Sequence, residues 1–371
     1  MTAEAPQVKR QWVALPGSSC DIRVGAGAIQ VMSKVMRVSS SAGSRRCAFV
    51  CEEGAPAEVA AEITRQLTDA GFVVSRSGMP AGPKARTLAT VEALCDTLGS
   101  AKITADDMVC VLGGLDALSA ASFVTSSWCG GTQLVQVPTD LAACVEASNS
   151  PRGIDVAGSS EMLATRPAAK YMFCDADVID LDPQLASSLY ARAVMATSAL
   201  IESEAAVERL WDRAELLAEG DPVTVCEQLA DTVKSRGKVI SSTSIAVRQS
   251  LTFGTTFLRG MRDLIAPEVP DGLIIAEGVR FQSRIACGLE FLKVDDVLTS
   301  DELLDLLALD PITCDVDPQA MVDALTAACF ARSSRFLLEL PRATGRVRSS
   351  AVEDELLLEH ATAWCASRRP A

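Results

Sequence analysis

A chain of 371 residues, 49% hydrophobic and 22% charged, is long enough for two domains and too apolar to be disordered. Its formal charge of −14 argues against nucleic acid or an anionic membrane as partner, since both need a basic footprint. The 13 cysteines form no CxxC pair and read as buried, reduced thiols of a cytoplasmic protein. The first residues, MTAEAPQVKRQWVALPG, carry no apolar leader, and no run of about 20 apolar residues is present to span a bilayer.

In chain order, Arg46 to Glu52 reads as a strand, and Pro56 to Ala70 as a helix with Pro56 at its first position and Gly71 as C-cap. Phe72 to Ser75 is a short strand, Pro80 to Lys84 a loop, and Thr87 to Leu98 an amphipathic helix. The buried strand Met108 to Leu112 then runs through Gly113-Gly114 into a small-residue helix from about Asp116 to Ser126. Strands Gln133 to Val137 and Tyr171 to Cys174 follow, the latter ending in Asp175. A β-branched strand closed by paired glycines and opening a helix is how a parallel sheet offers backbone N–H groups to a phosphate, although the same pattern also makes a plain βα turn.

After Pro183 the pattern becomes helical: Gln184 to Leu217, Val223 to Ile240, Thr243 to Arg262, Leu273 to Leu292, Asp301 to Leu309, Pro318 to Phe330 and Val352 to Ala366, with a strand-like run at Arg335 to Leu340. The predicted fold is α/β: a mostly parallel, nucleotide-binding-type domain over residues 1–183, then an all-helical domain over 184–371, with the working cleft between them.

Several motifs keep one order and spacing. They are VLGG at Val111 to Gly114, VQVPTDLAACVEAS at Val135 to Ser148, CDADVIDLDP at Cys174 to Pro183, Lys234, Arg248, FGTTF at Phe253 to Phe257, and DGLIIAEGV at Asp271 to Val279. Together they resemble 3-dehydroquinate synthase and its sugar-phosphate cyclase relatives over nearly the whole chain. The resemblance implies tightly bound NAD, a divalent metal (usually zinc) held by one glutamate and two histidines, an anionic sugar-acid phosphate as substrate, and a dimer.

Carried onto this sequence, the metal-binding glutamate falls on Ala193, the GHT histidine on Thr255, the histidine four residues later on Arg259 and the HGEAV histidine on Asp271. The chain has one histidine, His360. Zinc catalysis needs three converging ligands and an open position, so zinc binding is not expected.

On the cofactor side Gly113 and Gly114 remain and Thr139 keeps the first hydroxyl of PTT, but Asp140 replaces the second threonine and Leu115 the third glycine. Leu115 would crowd a pyrophosphate, which leaves NAD weakly supported. Asp175 is a further candidate toward ribose. For an anionic substrate Lys234 and Arg248 remain, both also readable as surface charges or ion-pair partners, and Arg152 could replace a lysine charge.

Other residues carry a plainer explanation beside the chemical one. Asp140 and Glu146 form an acid–base pair or a helix cap with a bystander. Asp175 and Asp177 bind a cation or merely make a turn, and Asp116 reads as an N-cap. Cys129 and Cys144 have no histidine in the matching motifs to activate them.

The expectation is a catalytically degenerate family member acting by binding or regulation, as a homodimer or paired with an active relative. The alternative is an active 3-dehydroquinate synthase or sugar-phosphate cyclase of aromatic amino acid biosynthesis, with ligands recruited from Asp271, Asp140, Glu146 or Asp175. An iron-type alcohol dehydrogenase fares worse, for want of its Asp/His set.

Overall fold

The structure, a computed structural model, describes residues 7–37 and 45–370; the first six residues of the segment read above for a leader lie outside them. The chain divides into two compact units, Met1–Leu181 with Val225–Ser241, and Asp182–Thr224 with Ser242–Ala371.

In the first unit the elements run β1 (Lys9–Leu15), β2 (Ser18–Gly25), α1 (Met32–Arg37), β3 (Arg45–Glu52), α2 (Ala57–Asp69), β4 (Phe72–Met79) and α3 (Leu88–Ser100). They continue with β5 (Met108–Gly113), α4 (Leu115–Ser127), β6 (Gln133–Pro138), α5 (Leu141–Glu146), the hairpin β7 (Arg152–Val156) and β8 (Ser159–Thr165), and β9 (Tyr171–Asp175). Among the described residues seven strands form one sheet in the order β1-β2-β9-β6-β5-β3-β4, parallel except for β1.

Every residue of β5 is buried, as a strand covered on both faces requires, and this is why its sequence is an unbroken apolar run. Its register places Leu112 beside Cys51 and Gly113 beside Pro138. The ends of β3, β5 and β6 therefore meet at the Gly113-Gly114 turn. Pro56 is the N-cap of α2 rather than its first residue, and Thr87 caps α3 by accepting from the Thr90 amide. The hairpin β7–β8 went unpredicted. Its two-residue turn, Ala157-Gly158, takes positive φ at both positions, a conformation usually signalled by Asn-Gly rather than Ala-Gly.

The second unit holds α6 (Ala186–Glu202) and α7 (Glu204–Glu219); α8 (Pro222–Ile240) follows in the chain. Then come α9 (Ile245–Gln249), α10 (Thr255–Met261), α11 (Asp271–Gly288), α12 (Val294–Leu306), α13 (Pro318–Phe330), the hairpin β10 (Leu338–Ala343) and β11 (Arg346–Ser350), and α14 (Asp354–Arg368). The unit is thus not all-helical: the strand-like run near the end pairs with a second strand that the sequence did not reveal.

Two predicted helices are each broken in two. Ser203 interrupts the first and caps α7 through the Ala206 amide. Gly254, at φ +77, interrupts the second. Most of α8 clusters with the first unit, because Gly237 lets it press on β1: a Cβ there would sit 2.3 Å from Val13 Cγ1. No helix among the described residues is long and apolar enough to cross a membrane.

Helix α11 is buried along nearly its whole length. It approaches Gly254 so closely that a Cβ on Gly278 would lie 2.6 Å from the Gly254 carbonyl oxygen. Gly278→Ala is therefore expected to destabilise the second unit by about 1–3 kcal/mol, measured by urea unfolding. Gly99→Ala, on exposed helix surface in α3, should be neutral or stabilise the first unit by up to about 1 kcal/mol.

Candidate functional site

The Gly113-Gly114 turn is closed by the chain's own carboxylates. The Gly114 amide donates to Glu52 Oε2 at 2.7 Å, and the Gly82 amide to Glu52 Oε1 at 3.3 Å. The Thr139 amide donates to the Gly113 carbonyl at 3.1 Å, which ties the end of β6 to the end of β5. Both glycines are needed for this closeness: a Cβ on Gly114 would lie 2.6 Å from Asp140 Oδ2, and one on Gly113 2.8 Å from the Ala117 Cβ. A cavity of about 190 Å³ opens at the turn, lined by Glu52, Gly82, Gly114, Leu115, Asp116 and Asp140.

Asp140 caps α5, accepting from the Ala143 amide at 2.7 Å. Burial pushes its carboxyl above the usual range and the charge of Glu52 adds to this, while the Ala143 and Leu115 amides pull it down. Asp116 is not the N-cap of α4, a place taken by Gly114. Its carboxylate pairs with Arg86 at 3.2 Å, and burial raises its pKa more than that arginine lowers it. Asp175 is buried and occupied, its two oxygens accepting from the amides of Gly27 at 2.9 Å, Ile29 at 2.8 Å and Asp177 at 3.1 Å. These bonds fix the loop after β2.

Arg152 is no free cation either. It is buried, bonded to Glu146 at 2.8 Å and paired with Glu161. A second arginine, Arg236 on α8, donates to Glu146 Oε1 at 2.6 Å, to Ser150 Oγ at 2.6 Å and to Asn149 Oδ1 at 2.9 Å. Glu146 is thus a neutralised partner of two guanidiniums rather than half of an acid–base pair with Asp140. Lys234 is exposed on the same helix, two residues from the arginine that is used. Glu52, Glu161 and Arg236 were all missed. A signal existed for Arg236: Gln228, Thr232 and Arg236 repeat every four residues, a polar stripe that proves buried.

In the second unit, Arg248 is spent on the carbonyls of Ser242 (2.6 Å) and Thr243 (3.2 Å). Ala193 is buried on α6, Thr255 begins α10 and Arg259 lies half-buried on α10. The Asp271 carboxylate is held by Arg262 at 2.8 Å, an arginine that also donates to the carbonyls of Ile265, Ala266 and Val269. His360 sits against α11, with Nε2 2.8 Å from where a Cβ on Gly288 would be. No group of three or more His, Cys, Asp or Glu side chains among the described residues is arranged to hold a metal. Cys144 is fully buried, which raises its pKa, whereas Cys129 is exposed.

The sequence profile described as 3-dehydroquinate synthase N-terminal matches residues 77–188. The 3-dehydroquinate synthase of Corynebacterium efficiens is 26% identical over 298 residues, 79% of this chain and 80% of its own. That of Enterococcus faecalis is 29% identical over 252 residues, 66% of this chain and 68% of its own. These matches support a kinship with 3-dehydroquinate synthase. Solved structures share the fold over most of the chain. A 2-deoxy-scyllo-inosose synthase, solved with carbaglucose-6-phosphate, NAD+ and Co2+, superposes with a TM-score of 0.82 at 14% identity, covering 95% of this chain and 99% of its own. A 2-epi-5-epi-valiolone synthase from Streptomyces hygroscopicus subsp. jinggangensis, solved with NAD+ and Zn2+, superposes at 0.76 with 17% identity, covering 89% and 93%.

Against this family background, the donor set fits neither implied group. A divalent metal would have Asp271, already bound to Arg262, in place of a converging triad. A pyrophosphate would meet Glu52, Asp116 and Asp140 at a turn whose Gly114 amide already holds a carboxylate.

Two outcomes follow. A carboxyl with a raised folded-state pKa keeps its proton after the unfolded chain releases it at about pH 4, so the folded state loses stability as pH rises through the folded value. Asp140→Asn, which keeps the cap, should raise the melting temperature at neutral pH and reduce the gain seen on acidification toward pH ~5. Arg236→Met should cost about 1.5–3 kcal/mol by removing its charge-assisted bonds to Glu146, Ser150 and Asn149, and Lys234→Met within about 0.5 kcal/mol, both read from urea midpoints.

Proposed function

We propose that this family member has lost the metal- and NAD-dependent cyclisation and serves as a binding or regulatory protein on the retained scaffold. The observation that carries this is at the metal positions: Ala193 offers no ligand, Thr255 a poor one, and the Asp271 carboxylate is taken by Arg262 at 2.8 Å. The occupied Gly114 amide and the spent charges of Arg152 and Arg248 support it from the cofactor and substrate sides.

The same proposal extends to assembly and place. By the resemblance, the chain pairs with itself or with an active relative. A reducing, cytoplasmic compartment suits its 13 free cysteines, several deeply buried, with burial pushing the Cys47 thiol up to about 12. Native mass spectrometry and recovery from cells test the pairing, and a lone monomer in both would overturn it.

The catalytic test is phosphate release from the sugar-acid phosphate substrate of 3-dehydroquinate synthase, with NAD+ and either Zn2+ or Co2+ supplied and an active synthase as control. No release above background is expected. Steady turnover, abolished by a chelator, would overturn the proposal in favour of a rearranged active site.

A further inference from the structure

At the amino-terminal end of the parallel strands, away from the Gly113-Gly114 turn, the first unit opens a cavity of about 800 Å³. Arg45, Gln133 and Tyr171, the first residues of β3, β6 and β9, stand at its wall. It shares no lining residue with the cavity at the turn.

The strand register builds its floor. Trp12 lies opposite Asp21, Asp21 opposite Tyr171, and Tyr171 opposite Val135, two residues beyond Gln133; cross-strand partners share a face. Val31 and Val35 close one side, and Tyr171 belongs to the hydrophobic core, so the cavity has an apolar base.

Its rim is cationic. Arg10, Arg23, Lys34, Arg45 and Lys170 line it, against Asp21 as the acidic lining residue. Asp21 is already paired with Arg10 at 2.9 Å and Arg23 at 3.0 Å. Among the described residues Lys34, Arg45 and Lys170 have no carboxylate partner. This is a chain with 48 acidic residues against 34 basic ones, in which partners for three cations are plentiful. Like charges gathered at a partly enclosed site repel one another until an anion joins them.

Two further features face the same space. Trp12 is 52% exposed, with the Arg10 guanidinium 5.1 Å from its ring centroid. Gln133 Oε1 is buried with no hydrogen-bond partner, an acceptor waiting for a donor.

We propose that this cavity binds an organic phosphate: the phosphate oxygens on Lys34, Arg45 and Lys170, a flat ring against Trp12 and the apolar base, and a hydroxyl or amino group donating to Gln133. Its volume falls within the ~300–1,000 Å³ of ordinary small-molecule sites, and Arg and Lys at a phosphate give the stronger, charge-assisted bonds.

Calorimetric titration of the full chain with magnesium-free ATP, inorganic phosphate and adenosine tests it. ATP should bind saturably, and more tightly than inorganic phosphate or adenosine, each of which engages half of the site. Arg45→Ala/Lys170→Ala should weaken ATP by about tenfold or more. Lys34→Glu, an exposed position where folding is not at stake, should weaken it too, and Arg335→Ala, exposed in the second unit, should leave it unchanged. Circular dichroism confirms that each variant is folded. No saturable ATP binding, ATP affinity unmoved by the double variant, or inorganic phosphate binding as tightly as ATP would each overturn the proposal.

Discussion

The 2.7 Å hydrogen bond from the Gly114 amide to Glu52 governs the chemistry of the first unit. The amino terminus of α4 carries the positive end of its dipole and amides without helical partners. In a phosphate-binding turn these wait for a ligand. Here β3 ends one residue before its neighbour's turn, and the register of β3 on β5 delivers the Glu52 carboxylate to that amide. An intramolecular carboxylate has no translational entropy to lose on arriving, so an external anion competes at a disadvantage. Asp140 and Asp116 then surround an already satisfied donor with more negative charge. Glycine is needed here for steric reasons, because Asp140 comes within 2.6 Å of where a side chain on Gly114 would begin.

A second electrostatic knot occupies Arg152 as Glu52 occupies the turn. Glu146 sits between Arg152 and Arg236, and Arg152 reaches on to Glu161. Burying such charges is tolerable when each has partners, and costly when one is removed. The knot therefore holds α5, the β7–β8 hairpin and α8 in register with one another. Positive charge exists here in quantity, but it is spent on structure.

The sequence carried the architecture well where one local cause was sufficient. Met108 to Leu112 had to be a buried strand because nothing polar interrupts it, and the amphipathic period over Thr87 to Leu98 announced α3. It failed where the cause was distant. Gly254 breaks a helix because the α11 backbone presses on it, and β11 forms because β10 lies beside it; neither neighbour is written locally. The site behaved the same way. Gly113, Gly114 and Asp140 were found by position along the chain and do meet. Glu52 joins them from 62 residues away, and a carboxylate at a strand end carries no mark of which turn it will face. Asp175 and Arg152 were the right residue types for ligand chemistry. Only the three-dimensional arrangement shows that backbone amides and carboxylates inside the protein already use them.

The discontinuity of the first unit has a consequence for biosynthesis. Its sheet is finished by Asp175, yet the helix that packs on Val13 and answers the charge of Glu146 begins near residue 225, beyond two helices of the other unit. A nascent chain emerging from the ribosome must hold that surface open while about forty residues of foreign structure pass, a long-range closure of the kind that slows folding and exposes intermediates. The amino-terminal half is therefore not a fragment that matures ahead of the rest. The two units are committed to folding in overlapping time, and an early stop anywhere before α8 releases a sheet with an unmatched internal charge.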